Sequence, residues 1–172
     1  MPEVLTLRRA TPDDASLLRR WDEQPHMVAA KGTDDWEWES ELGRELDWRE
    51  QLIAERDGKP IGFVQIIDPA QEETRYWGSV PAGLRAIDIW IGEEAVLGKG
   101  YGTRMMREAI GRCFADPSVR AILIDPLASN ERAQRFYQRL GFRPVARQRF
   151  GADECLVHRL ERRDWLESPR DQ

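Results

Sequence analysis

The sequence is poor in the features that define several large protein classes. It has two cysteines in 172 residues, too few for a disulfide scaffold. Cys113 falls on the apolar stripe of a helical pattern and Cys155 in a late strand, so both read as buried free thiols, in keeping with a reducing cytoplasm. The two histidines, His26 and His158, are far apart and lack metal-ligand spacing, so they read as surface or structural residues and no metal is expected. No apolar run is long enough to span a membrane. The stretch Met1–Pro2–Glu3–Val4 has neither the basic nor the apolar segment of a secretory leader, so a cytoplasmic location is expected. Internal repeats and low-complexity segments are absent. The formal net charge is −5, which speaks against non-specific nucleic-acid binding and fits a cationic small partner.

The rest of the composition is that of a globular protein, 41% hydrophobic and 33% charged, long enough for one domain over residues 1–172 with a sizeable core. Leu5 to Arg9 reads as a first strand. Thr11 then caps a helix that carries Pro12 at its first position and runs to about Glu23, with Leu17, Leu18 and Trp21 on its buried side and Pro25 as its stop. A second, acidic helix is expected from Asp34 to about Leu46. Leu52–Glu55 and Ile61–Ile67 form a hairpin around Asp57–Gly58. Asp68 to Gly83 is a long loop, of the kind that often carries function. Val119 to Ile124 is a buried strand. A helix capped at Ser129 or Asn130 ends at Gly141, and Phe142–Phe150 with Glu154–Leu160 closes the chain as a hairpin. Residues from Pro169 onward are expected to fray. Hairpin strands followed by alternating strands and helices give an α/β fold with a mixed sheet and helices on both faces.

The chain is organised around Leu84 to Thr103. Ile87, Ile89 and Ile91 alternate with Asp88 and Trp90, a strand with one carboxylate opposite its isoleucines. Gly98, Gly100 and Gly102 follow, and Gly102, Met106, Ala109, Ile110 and Cys113 then fall at helical spacing. Strand, glycine loop and helix in that order form a site for a phosphate or pyrophosphate, because the first-turn N–H groups lack helical partners and glycine lets the backbone approach closely. The glycine spacing matches neither a Rossmann fingerprint nor a P-loop.

Leu97–Gly98–Lys99–Gly100–Tyr101–Gly102 resembles the pyrophosphate motif of the GNAT acetyltransferase superfamily, with Leu97 in place of glutamine or arginine. Asn130–Glu131–Arg132–Ala133, then Tyr137 and Gly141–Phe142, resemble that superfamily's second signature. The resemblance covers roughly Leu5 to Leu160. It implies the GNAT fold, whose splayed fourth and fifth strands admit the pantetheine arm, and direct attack of an amine on the thioester of acetyl-CoA. Gly98, Lys99, Gly100, Tyr101, Gly102 and Thr103 would hold the pyrophosphate. The backbone of Ile89, Trp90 and Ile91 would pair with the pantetheine amides, and Asn130 would bond the same arm.

Within this frame Tyr137 fits the proton or hydrogen-bond donor to the departing thiolate, a role helped by a phenol pKa of ~10 against ~8.5 for a thiol. Asp88 fits the base, attracting an ammonium and then taking its proton. Asp125 fits a second carboxylate for the acceptor. Plainer roles exist for each: packing for Tyr137, an N-cap for Asn130, an exposed strand carboxylate for Asp88, a turn with Pro126 for Asp125. Trp21, Trp36, Trp38 and Trp77 lie in segments that form the acceptor side in the superfamily, so Trp21, Asp22 and Trp77 are expected to touch the acceptor. Glu23, Glu72 and Glu73 would add charge at the same mouth.

The group most similar is that of the aminoglycoside 6'-N-acetyltransferases, through Gly83 to Asp88, Leu97 to Thr103, Asp116–Pro117, Asp125–Pro126, Asn130 to Ala133 and Tyr137. The N-terminal third departs, with Ala29–Ala30–Lys31 where the resistance enzymes carry a Trp-Trp pair. The expected function is therefore N-acetylation of a cationic small amine, by a monomer or homodimer. The acceptor is left open among aminoglycosides, siderophore precursors, polyamines and protein N-termini. A CoA-binding module without turnover is the reading from another class.

Overall fold

The computed structural model describes residues 2–31 and 34–167, so the expected fraying from Pro169 lies outside the described residues. The strands are β1 (Leu5–Arg9), β2 (Arg49–Arg56), β3 (Lys59–Ile67), β4 (Leu84–Ile91), β5 (Ala121–Ile124), β6 (Arg143–Phe150) and β7 (Asp153–Glu161). The helices are α1 (Ala15–Asp22), α2 (Pro25–Lys31), α3 (Trp38–Glu41), α4 (Tyr101–Phe114), α5 (Glu131–Arg139) and α6 (Arg162–Glu167). The strands make one sheet in the order β1-β2-β3-β4-β5-β7-β6. It is mixed: β4 and β5 run parallel, whereas β1–β2, β5–β7 and β6–β7 are antiparallel. This is the mixed α/β sheet that the alternation of elements called for.

The chain divides into two compact units, Met1–Ile66 with Asp88–Ala109, and Ile67–Ile87 with Ile110–Gln172. In the first, β1 lies against β2 with Leu5 opposite Arg56 and Arg9 opposite Leu52. The β2–β3 turn is the expected Asp57–Gly58, with positive φ at both residues (49° and 81°), the pair of left-handed conformations a two-residue hairpin favours. Leu18, Trp21, Trp38, Leu42, Ile53 and Phe63 form the apolar cluster under α1 and α3.

Two helical expectations are corrected here. Pro25 ends α1, as expected, but it also opens α2, because its fixed φ suits a first helical position where no N–H is needed. The helix expected over Asp34–Leu46 is only the single turn Trp38–Glu41. Glu37 before it is left-handed (φ 51°), which breaks the helical path, and Trp36 and Trp38 are held by ring packing instead.

In the second unit, β5 is buried at every position and lies between its partners. Leu84–Ala86 of β4 pair with Ala121–Leu123, and Ala121–Ile124 pair antiparallel with β7. Arg162 closes this unit, donating to the carbonyls of Phe114, Asp116 and Val119 at 2.6–2.9 Å. Helix α6, which it opens, carries no sequence expectation. The loop Asp68–Gly83 is held at both ends. Arg85 pairs with Asp68 (3.4 Å) and Asp116 (3.3 Å), and the Arg120 N–H donates to the Gly83 carbonyl at 2.7 Å.

Candidate active site

The first unit contains the end of β4, the glycine loop and the start of α4 in one continuous run. Among the described residues the ladder between β4 and β5 stops at Ala86, while β4 continues to Ile91. Ile89, Trp90 and Ile91 are only half-buried, apolar side chains that a fully covered strand would hide. Two glycines let neighbouring groups press against this strand. A Cβ on Gly62 would meet the Trp90 carbonyl at 2.4 Å and Met105 Cε at 2.7 Å, and one on Gly92 would meet the Trp21 ring at 2.0 Å. A strand glycine is a sign of close approach, but sequence alone does not say against what.

Asp88 is half-buried and accepts a hydrogen bond from Gln65 Nε2 at 3.1 Å; Gln65 in turn accepts from Gln51 Nε2 at 3.1 Å. Burial pushes the Asp88 carboxyl up to about 6, with the Gln65 hydrogen bond pulling the other way. A carboxylate at that value is a better proton acceptor near neutral pH than an ordinary aspartate.

Gly98 and Gly100 both have positive φ (72° and 85°), and a Cβ on either would meet nothing within 4 Å. Gly98, Lys99 and Gly100 are exposed. Helix α4 begins at Tyr101, so Tyr101, Gly102 and Thr103 are its first turn rather than loop. The Tyr101 side chain serves the fold: its hydroxyl donates to Glu3 Oε2 (2.7 Å) and accepts from Arg56 Nη1 (2.9 Å). That leaves its backbone as the part available to a ligand. An open, glycine-built turn at the N-terminus of a 14-residue helix fits a diphosphate.

The α1–α3 side is more enclosed than its residue types suggested. Trp21 is 1% exposed; its Nε1 donates to Glu93 at 2.9 Å and its ring lies on Gly92. Its ring is part of the apolar cluster with Leu18, Trp38 and Phe63. Asp22 accepts from Lys31 Nζ (2.7 Å) and from Trp38 Nε1 (2.8 Å), so both its oxygens are engaged from within. His26, read from sequence as surface or structural, donates from Nε2 to the Ile91 carbonyl at 2.8 Å, which ties α2 to the end of β4.

In the second unit, Asn130 caps α5, accepting from the Ala133 N–H at 3.1 Å; its plainer role is thus in use. Tyr137 is 8% exposed and packs edge-on against Phe136 and Phe142. Asp125 follows directly on β5 and accepts a 2.5 Å hydrogen bond from the Tyr76 hydroxyl. Tyr76 stacks on Phe150 (4.5 Å, 8°), and buried Trp77 meets both rings edge-on. Tyr76 is therefore a functional candidate missed in the sequence; its only signal was membership of a long aromatic-bearing loop. Glu72 turns inward and bonds Thr74 and the Tyr76 N–H, organising that loop. His158 is buried between Leu156 O and Gln138 Nε2, a structural histidine.

Residues 10–150 match the acetyltransferase (GNAT) domain family. The chain belongs to the GNAT acetyltransferase family. It is 32% identical over 156 residues to the aminoglycoside N(6')-acetyltransferase type 1 of Klebsiella pneumoniae, covering 81% of this chain and 74% of that protein. It is 26% identical over 144 residues to the lysine N-acyltransferase MbtK of Mycolicibacterium paratuberculosis, covering 80% of this chain and 64% of that one. The GNAT fold here superposes on the crystal structure of the aminoglycoside acetyltransferase AAC(6')-Ib in complex with coenzyme A with a TM-score of 0.87, at 26% identity, over 96% of this chain and 99% of that chain. No helix among the described residues of this GNAT protein is long and apolar enough to cross a membrane.

Proposed function

We propose that the protein transfers the acetyl group of acetyl-CoA to a primary amine of a cationic small molecule, with aminoglycoside 6'-amines the first class to test. The observation that carries this reading is the run from Asp88 to Thr103. A carboxyl raised to about 6, a half-open strand end and an exposed glycine turn opening a long helix follow one another within a single unit.

Acetyl-CoA, when bound, supplies an activated acyl thioester. Gly98, Gly100 and the first-turn N–H groups of Tyr101 to Thr103 hold its diphosphate, with Lys99 as an exposed cation beside them. The edge of Ile89, Trp90 and Ile91 offers backbone groups to the pantetheine amides in the manner of an added strand; Asn130 is assigned to the same arm. Asp88 draws in the acceptor ammonium and takes its proton as nitrogen attacks, directly or through water. Tyr137 gives a hydrogen bond or proton to the departing sulfur. Asp125 and Trp77 are assigned to the acceptor, with Tyr76 holding the Asp125 carboxylate.

The likeness to a lysine N-acyltransferase favours a second reading, in which the amine sits on a lysine-like acceptor. Product analysis with acetyl-CoA and a panel containing kanamycin, spermidine, lysine and a neutral amino sugar separates the two. The proposal expects an acetylated cationic amine. CoA binding with no acetylated product from any amine contradicts it and favours a binding module.

A further inference from the structure

Among the described residues, Lys31 places a primary amine of the protein's own between a carboxylate and two indole rings. Its side chain is 5% exposed, and its Nζ lies 2.7 Å from Asp22 Oδ1. The same ammonium stands 5.7 Å from the Trp38 ring centroid and 5.8 Å from that of Trp90. Trp36 backs both rings, at 5.6 Å from Trp38 and 4.7 Å edge-on to Trp90. The other Asp22 oxygen is fixed by Trp38 Nε1, which sets the carboxylate plane. One carboxylate and two indole faces around a cation are the elements of an ammonium cage. Trp90 belongs to β4, two residues after Asp88.

We propose that Asp22, Trp38 and Trp90 form a primary-ammonium subsite that Lys31 fills from within, and that Lys31 is thereby a specificity-determining residue. An external ammonium meets an Asp22 already neutralised and a cage already occupied. An acceptor must then be recognised with one anionic contact fewer than the carboxylates of this region would suggest. A polyamine or aminoglycoside loses the most by this, and a small amine with few charges the least. The consequence for acceptor choice rests on the N-acetyltransferase reading. The cage does not, and the test reads the cage alone.

The test uses Lys31→Ala in the full chain, with n-propylammonium chloride as probe and thermal unfolding as readout. The substitution keeps Cβ and removes the three outer methylenes with the ammonium, leaving a space the length of the probe. Lys31→Ala lowers Tm, and n-propylammonium at about 100 mM raises it again by about 3–6 °C. Equal concentrations of NaCl or n-propanol do not, and wild type does not respond. Adding Asp22→Asn to Lys31→Ala abolishes the rescue. If Lys31→Ala does not fold unaided, its refolding from urea is read instead: recovery with n-propylammonium and not with NaCl supports the cage. Absence of any response to the amine, or an equal response to NaCl or n-propanol, overturns the proposal and leaves Lys31 an ordinary ion-pair strut.

Discussion

Asp88 separates the catalytic account from a structural one most sharply among single residues, because its raised carboxyl ties rate and stability to the same pH range. As the proton acceptor it must be ionised, so kcat/KM falls about tenfold per pH unit below about 6. Its effect on stability runs in the opposite sense. A carboxyl raised in the folded state binds its proton more tightly there. It therefore costs nothing below the unfolded value near 4, and its destabilisation grows as pH rises to about 6. Asp88→Asn is therefore expected to stabilise the fold by about 1–2 kcal/mol above pH 6 and by little at pH 4, while losing activity. Denaturant unfolding of both proteins at the two pH values checks this; equal stability differences at both contradict the buried-base reading. Tyr137→Phe is expected to keep CoA affinity and lose about 10²-fold in kcat, the low end for a general acid, since a thiolate leaves readily. An unchanged kcat with chemistry rate-limiting leaves Tyr137 to its packing against Phe136 and Phe142. Asp88 was legible in the sequence because a strand alternates and it stands opposite isoleucines. Gln65, which holds it, was not, since nothing local to Gln65 reports its partner 23 residues away.

At the scale of elements, the proposed reaction requires the glycine turn before α4 to yield its backbone to the diphosphate. Gly100 has φ 85°, a region that costs a residue with a Cβ about 1–2 kcal/mol. Gly100→Val both strains that turn and sets a branched side chain over the first-turn N–H groups. It is expected to remain folded and lose CoA binding at least tenfold by calorimetry; unchanged affinity in the folded variant removes the diphosphate from this turn. Gly92→Ala acts differently, driving a methyl into the Trp21 ring, and is expected to cost about 1–3 kcal/mol or more in urea unfolding. Element reading from sequence worked where one local signal dominated: Asp57–Gly58 for the hairpin, Asn130 and Gly141 around α5, alternation in β4. It failed where tertiary packing decides. Trp36 looked like a helix residue but lies outside α3 and packs ring to ring with Trp38, the first residue of α3, across a left-handed Glu37. The partners of Trp21 and Asp22, namely Gly92, Glu93, Lys31 and Trp38, come from other elements, which no local pattern reports.

For the whole molecule, the two spaced motifs announced the family before any coordinate, because ligand-binding backbone demands glycines at fixed places whatever surrounds them. The acceptor was less legible, since it depends on which carboxylates the fold leaves free. A net charge of −5 and the proposed cationic acceptor imply attraction that salt screens, so KM for spermidine or kanamycin is expected to rise with ionic strength while KM for a neutral amine does not. The account stands most directly on mass analysis of the products formed from acetyl-CoA and that amine panel at several pH values. It predicts a product heavier by one acetyl group on a primary nitrogen of a cationic amine, formed with wild type and strongly reduced with Asp88→Asn. CoA bound at full affinity with no acetylated amine at any pH, or equal yields from Asp88→Asn, would contradict it.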